Sequence, residues 1–300
     1  MADITTTSAS AFIPQIWANK ALEILRNKVV LAKLVTRDTD VATFQVGDTL
    51  NIPYPGSMVA NDKAANTGVT AQVPTSTTTS VVLNKHKEAT FILEDRVVAT
   101  ANQDVMGRYL DAAVIAIAEQ IETDLWATAI TATNSVGTYG TDISAATVRS
   151  ARKVLNDNKA PQDGRVLVVS DKDEIALLGD STLQSFFAFA AAGTVKEGSI
   201  GRLYGFDVYQ SQLVPATGTS PVNTKNIAFA PGAILLAMRN LPEVPAGEGA
   251  LSAIANDPVS GLAVRITRAF NANLLAHQVT VDVLYGTVML RQEKAVLVKA

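Results

Sequence analysis

Side chains able to do chemistry crowd together at only a few places in this 300-residue chain. The first is DNKAPQDGRVLVVSDKDE, Asp157 to Glu174, where five acidic residues surround an apolar run. Asp171 and Asp173 flank Lys172 at a spacing that could hold a divalent cation. They also follow a strand-like run and open a helical one. Acidic residues are favoured there because a helix N-terminus carries partial positive charge, and Ser170 stands where a cap is needed. Capping accounts for both carboxylates without a ligand, and no further metal ligand lies nearby.

Other spacings point to catalysis more weakly. Gly193 and Gly198 have the glycine interval of a phosphate-binding loop, but Ser199 stands where the phosphate-reaching lysine is required, so a flexible loop is the expectation. Ser150 and Lys153 match Ser-x-x-Lys without the partner motifs of serine acyl enzymes, and residues three apart are neighbours on any helix. His86 and His277 lie far apart, whereas a catalytic zinc site normally takes two or three imidazoles. With no cysteine, disulfides, thiolate metal sites and cysteine nucleophiles are excluded. Trp17 and Trp126 sit at apolar helical positions and read as packing anchors. The basic residues of VLNKHKEATFILEDR, from Val82, read as a solvated strand face. The chain has 25 basic against 28 acidic residues, without the basic excess of a dedicated nucleic-acid binder. No catalytic, cofactor-binding or metal residue is nominated.

The elements that would carry such groups are clearer. No apolar run reaches the roughly 18 residues of a membrane span, and MADITTTSASAF lacks the charged start and apolar block of a signal peptide. Synthesis in a cytoplasm is expected. Residues 1–11 predict a loose tail, and Phe12 to Leu34 short amphipathic helices that must dock elsewhere. VATFQVGDTLNIPYPG predicts strand, turn at Gly47-Asp48, and strand, with Pro53 and Pro55 ending the second run. A threonine-rich stretch from Asn61 to Ser80 is poor in large apolar residues, and strand character resumes from Val81 to Leu93. Together these predict a long two-stranded ribbon with a polar tip, marginal alone.

Residues 101–130 predict a helix of about 40 Å, with Thr100 and Gln103 at capping-box spacing. Leu110, Val114, Ile117, Ile121 and Leu125 form one apolar stripe, and Asp111, Glu119, Glu122 and Asp124 punctuate the other faces. Residues 131–240 read as α/β: a helix from Ser144 to Asn156, the buried strand RVLVVS, a helix from Ser170 to Gly179, another over 182–192, then strands. Residues 241–261 read as a Pro- and Gly-rich loop. From Leu262 onward the chain reads mostly as strand, with Val279, Val281 and Val283 alternating against Gln278, Thr280 and Asp282.

This order resembles the major capsid proteins of tailed bacteriophages, with the Hong Kong 97-type fold. FIPQIWANKALEILRNKVVLAKLV looks like the family's N-terminal arm, GDTLNIPYPG like the start of its extended loop, and DVMGRYLDAAVIAIAEQIETDLW like its spine helix. GRVLVVS, GSIGRLYGFDVYQSQLVP and IAFAPGAILLAM look like its axial domain, and DVLYGTVMLRQEKAVLV like its closing segment. The resemblance implies an α+β capsid fold: arm 1–40, extended loop 41–100, spine helix of the peripheral domain 101–130, mainly axial domain 131–260, and closing strands 261–300. It further implies a non-enzymatic, self-assembling icosahedral shell of hexamers and pentamers in a virion. Packaged double-stranded DNA would be touched diffusely, with a portal and a separate scaffolding protein as partners and no cofactor or membrane. The roughly 40 residues before the ribbon would fit either a separate scaffold or prior cleavage of a scaffolding segment, and Met1 favours the former. Some relatives crosslink a loop lysine to an asparagine of another chain. Lys63 and Asn256 lie in loops of suitable placement, but no local motif aligns them with that pair. Two alternatives stay open at this level: an encapsulin-type shell around a cargo enzyme, and a soluble α/β enzyme.

Overall fold

The computed structural model describes residues 21, 29–38, 49–56, 58–100, 105–181, 201–245, 249–257 and 262–300. In chain order come α1 (Leu31–Leu34), β1 (Thr36–Asp38), β2 (Thr49–Pro55), β3 (Ser76–Val82) and β4 (Lys85–Glu94), then α2 (Asp95–Thr100) and α3 (Val105–Ala129). Next are β5 (Asn134–Gly137), α4 (Ala145–Asp157), β6 (Val166–Val169), α5 (Asp171–Gly179), β7 (Arg202–Leu203) and β8 (Phe206–Gln210). The remainder is β9 (Ala216–Thr217), β10 (Asn223–Phe229), β11 (Ile234–Arg239), β12 (Ala250–Asp257), β13 (Leu262–Asn271), β14 (Ala276–Met289) and β15 (Ala295–Lys299). Several sequence readings fall outside the described residues: the tail 1–11, most of the arm helix with Trp17, the Gly47-Asp48 turn, Gln103 of the capping pair, the 182–192 helix and the Gly193–Ser199 loop.

A seven-stranded sheet runs β5-β15-β10-β6-β8-β7, with β9 on β10. Its centre is sealed on both faces, as its unbroken apolar runs require. In β6, Val166 and Val168 enter the large core, while Leu167 and Val169 enter a second core under α4 and α5. The same alternation divides Ile227 and Phe229 from Ala228 in β10, and Ala295 and Leu297 from Val296 and Val298 in β15. Ser144 caps α4 by accepting the Thr147 N–H, and the buried Val148, Ala151 and Leu155 give α4 its inward face.

The six-stranded sheet runs β1-β11-β14-β13-β12, with β4 on the remaining edge of β14. Across it lies α3, about 37 Å long at 1.5 Å per residue. All five stripe residues, Leu110 to Leu125, are buried. They share one core with Val279, Val281, Val283 and Tyr285 of β14. The strand alternation read at 278–283 holds, except that Asp282 is buried too.

Three expectations are corrected here. The 81–93 run is not all ribbon: β4 pairs along β14 from Glu94↔Ala276 to Lys85↔Tyr285, so only β2 and β3 form a free ladder. Pro53 does not end its strand but lies inside β2 opposite Thr78, whereas Pro55 is the strand's last residue, opposite Ser76. An edge strand admits proline at alternate positions, where the missing N–H would have pointed away from the partner. The 241–261 loop contains β12, paired with β13 along its whole length. Its small residues Ala253 and Ala255 are buried in the large core, a role that weak strand formers take only from tertiary context. The chain, having already given β1 and β4 to the six-stranded sheet, therefore returns to it at Ile234, well before residue 260, and goes back to the seven-stranded sheet in β15.

Candidate assembly surfaces

The ribbon of β2 and β3 has one ladder and no core of its own. Residues 58–71 are exposed throughout. Near its tip a side chain stands in for a strand: the Gln72 amide donates to the Val59 carbonyl at 2.5 Å and accepts the Val59 N–H at 3.0 Å. The Thr67 hydroxyl closes the end turn on the Ala64 carbonyl at 2.8 Å. The sequence reading saw a polar tip and overlooked its aliphatic content. Met58, Val59, Val69 and Val73 are all exposed, Val73 at 93%.

The root of this ribbon is fixed. Val81 and Leu83, with Ile52, pack on Leu235, Ala237, Val288 and Leu290. Gly286 of β14 runs beneath β3 so closely that a Cβ there would collide with the Val82 carbonyl oxygen. The Arg291 guanidinium lies 4.4 Å over the Tyr54 ring, a cation–π contact.

The segment that leads toward the ribbon is held by α3. Glu122 is buried and its carboxylate accepts the N–H groups of Val30, Leu31 and Ala32 at 2.8, 3.0 and 3.0 Å. These are first-turn donors of α1 that no helical partner can satisfy. Burial pushes the Glu122 carboxyl above its ordinary range, and the three N–H groups and Lys33 pull it back only in part. Glu122, off the apolar stripe as the sequence pattern has it, thus faces a docked segment.

Charges elsewhere are spent on registering the body. Asp124 of α3 accepts the Tyr285 hydroxyl at 2.7 Å and pairs with Lys85 at 3.4 Å and Lys87 at 4.0 Å. Burial, then Asp124, drives the Tyr285 hydroxyl strongly upward in pKa. The two lysines read as a solvated face therefore point at α3. Asp282 is buried on β14 and receives Arg265 of β13 in two bonds, 3.0 and 2.6 Å, plus His86 of β4 at 3.0 Å. Arg265 stands directly opposite Asp282 in the ladder, so this pair marks the register.

The residues with apparent chemistry resolve as follows. Asp171 is exposed, while Asp173 is fully buried. The Asp173 Oδ2 accepts Ser170 Oγ at 2.7 Å, Asn226 Nδ2 at 2.6 Å and the Thr224 hydroxyl. The Ser170 side chain in turn accepts the Asp173 N–H. Both stand in the first turn of α5, which Ser170 caps, and Asp173 also ties the start of α5 to β10. Ser150 donates to the Ala146 carbonyl and Lys153 pairs with Asp157, so the two do not act together. His86 of β4 and His277 of β14 lie toward opposite ends of the ladder that joins these strands, at Leu284↔His86 and His277↔Leu93. Trp126 is buried in the large core. Lys63 is exposed at the ribbon tip, whereas Asn256 lies in β12 opposite Ala263 and not in a loop.

A family model described as phage capsid protein matches residues 25–246, well over half of the chain. The chain belongs to the phage capsid protein family. Solved capsid chains share its fold. A chain from Mycobacterium phage Che8 is 19% identical with a TM-score of 0.69, covering 90% of each chain. The capsid structure of cyanophage P-SCSP1u gives 15% identity and a TM-score of 0.66, covering 90% of this chain and 87% of the other. The head of Helicobacter pylori bacteriophage KHP40 gives 12% and 0.66, covering 89% and 88%. No curated protein matches the chain. The fold is the Hong Kong 97-type capsid fold, and the chain is a major capsid protein that forms a shell. Neither the cargo shell nor the soluble enzyme is favoured. Among the described residues no helix is long and apolar enough to cross a membrane.

Proposed function

We propose that this capsid protein closes an icosahedral shell of hexamers and pentamers around packaged double-stranded DNA, as a purely structural subunit of the virion. The carrying observation is the ribbon: a fixed root supports a limb whose residues 58–71 are exposed throughout. The arm is residues 1–40 and the extended loop is the β2–β3 ribbon. The peripheral domain is α3 with the six-stranded sheet, and the axial domain is the seven-stranded sheet with α4 and α5. Contact with DNA is diffuse, consistent with a formal net charge of −3, and a separate scaffolding protein and a portal guide assembly in the bacterial cytoplasm.

Deleting residues 60–78 tests this. The expected product is a soluble subunit that melts like the parent but stays unassembled by sedimentation and negative-stain microscopy. Closed shells at normal yield would show that the ribbon does not join subunits. Nuclease-protected DNA in particles recovered from infected cells checks the cargo.

A further inference from the structure

The helix over the second core carries a group of cations without a counter-charge. Arg149 and Arg152 stand three residues apart on α4 and are both exposed, so they share one face of the helix. That face meets the turn between β7 and β8. The turn is a hairpin loop closed by the pair Leu203↔Phe206, with φ of 48° at Tyr204 and 85° at Gly205, the left-handed pair that the tightest hairpin loops require. The Arg149 guanidinium sits 5.6 Å over the Tyr204 ring, a cation–π contact. The Arg152 guanidinium lies against Gly205, where a Cβ would touch it. Beside Arg152, Arg165 is buried. Its Nε and Nη2 donate to the carbonyls of Pro161 and Ala160 at 2.7 and 2.8 Å, and both acceptors are neutral. Burial, then the Arg152 charge, holds the Arg165 guanidinium below its ordinary pKa.

Neighbouring cations are balanced. Lys153 holds Asp157 at 2.5 Å, and Arg202 holds Asp207 at 3.6 Å. Among the described residues no carboxylate pairs with Arg149, Arg152 or Arg165. Guanidinium groups drawn together in this way repel one another, and an anion from outside the chain relieves the repulsion. The arginine fork suits phosphate oxygens, which it takes two bonds at a time. Side chains one helical turn apart are about 5–6 Å apart, and duplex DNA presents a charge every ~1.7 Å of its axis. The pair therefore meets phosphates at any register, whereas a carboxylate surface on a second copy would have to match one register. We infer that the α4 face formed by Arg149 and Arg152 over Tyr204 is where this subunit touches the phosphate backbone of the packaged double-stranded DNA. Phosphate contacts read no base, so the contact recurs on every subunit whatever the DNA sequence. It is diffuse over the shell and local on the chain. This rests on the shell-subunit reading above.

Arg149→Ala combined with Arg152→Ala tests this, because both side chains are exposed and subunit melting and shell formation should be unchanged. Binding of the unassembled full-length subunit to a fluorescent DNA duplex is read by anisotropy between about 50 and 200 mM salt. The alanine pair should lose about tenfold in affinity at the lowest salt, and its log–log salt slope should shrink by about 2. Arg149→Lys with Arg152→Lys restores both charges and should keep the parent slope. Closed shells free of DNA should take up no duplex from outside, as a face on the inner wall requires. A parent subunit that binds no duplex, or an unchanged slope in the alanine pair, would overturn the inference. Failed assembly alongside that unchanged slope would assign the face to a second copy instead. Duplex captured on the outside of closed parent shells, and lost in the alanine pair, would overturn it too. Each of these outcomes leaves the shell reading intact, whereas a parent protein forming no particles would sink the shell reading itself.

Discussion

The seven-stranded sheet and the ribbon are made of the same ladder hydrogen bonds, yet their side chains meet opposite surroundings. In β6 every residue is buried, with alternate side chains in two different cores. In β3 only Val81, near the root, is buried. Burial of apolar surface stabilises a fold by about 25 cal/mol per Å², so the body holds the subunit together and the ribbon adds little. An isolated two-stranded hairpin is marginal in water. The ribbon keeps its direction because Gly286, the small core under Val81 and Leu83, and Arg291 over Tyr54 fix its base. Damage in the body should therefore appear as lost stability, and damage in the ribbon as lost assembly.

The severest break of that comparison is Ile117→Asp. Ile117 is buried between α3 and the six-stranded sheet. A carboxylate there has no partner and should cost several kcal/mol, comparable with the whole stability of many domains. Unfolded or insoluble protein is expected, read by circular dichroism. A soluble, cooperatively melting variant would mean that the stripe is not core.

Glu122 gives a graded effect. Glu122→Ala leaves three N–H groups of the arm segment without an acceptor, at a cost of about 3 kcal/mol or more. Glu122→Gln keeps an oxygen for Val30 and Ala32 but turns an amide N–H₂ toward Leu31, and should cost about 1–2 kcal/mol. The pH dependence has a definite sign. Burial raises the carboxyl's folded value above its unfolded one. Its contribution is then full below the unfolded value and is lost as pH rises through the folded one. The melting-temperature gap between parent and Glu122→Gln should widen on acidification through that window. A gap that narrows there would show that the ionised form is the better held.

The two aspartates of α5 separate next. By sequence both are helix caps, and replacing both by asparagine should be mild. The structure divides them. Asp173→Asn removes the charge from an oxygen that takes three donors, and turns an amide N–H₂ toward the Oδ1 position, which has no hydrogen-bond partner. About 1–3 kcal/mol should be lost. Asp171→Asn keeps an exposed cap-compatible side chain and should cost under about 1 kcal/mol. Equal melting temperatures for the two variants would contradict this division. Chelator should leave the parent's melting unchanged.

Legibility in the sequence followed the range of the interaction. The α3 stripe was readable because its burial repeats at helical period, and β6 because a short apolar run beside turn residues has few other uses. β12 was missed since Ala253 and Ala255 become strand residues only against β13. Pro53 misled because proline stops most strands, and only the one-sided pairing of β2 exempts it, whereas β2 does end at Pro55. Glu122 and Asp173 look polar and therefore exposed. Their donors lie about 90 and 50 residues away in sequence, at Val30–Ala32 and Thr224–Asn226, and no local pattern encodes such a partner.

The smallest effect on stability belongs to the ribbon. Val73 is 93% exposed and touches the body nowhere in its ladder, since β3 starts at Ser76. Val73→Ser removes a side chain whose apolar surface is in water before and after folding, so the free energy of unfolding should change by no more than about 0.5 kcal/mol. The hydroxyl gains no buried partner and loses none. Assembly should respond differently, because a valine that enters an apolar seat contributes about 1.5–3 kcal/mol when fully buried, and each shell repeats the contact many times. Subunit melting by calorimetry should be unchanged, while the concentration needed for particle formation by light scattering should rise severalfold. A lowered melting temperature would place Val73 in the body's own core. Unchanged melting with an unchanged critical concentration would place it in neither core nor contact, and would erase the contrast between the two regions at this residue.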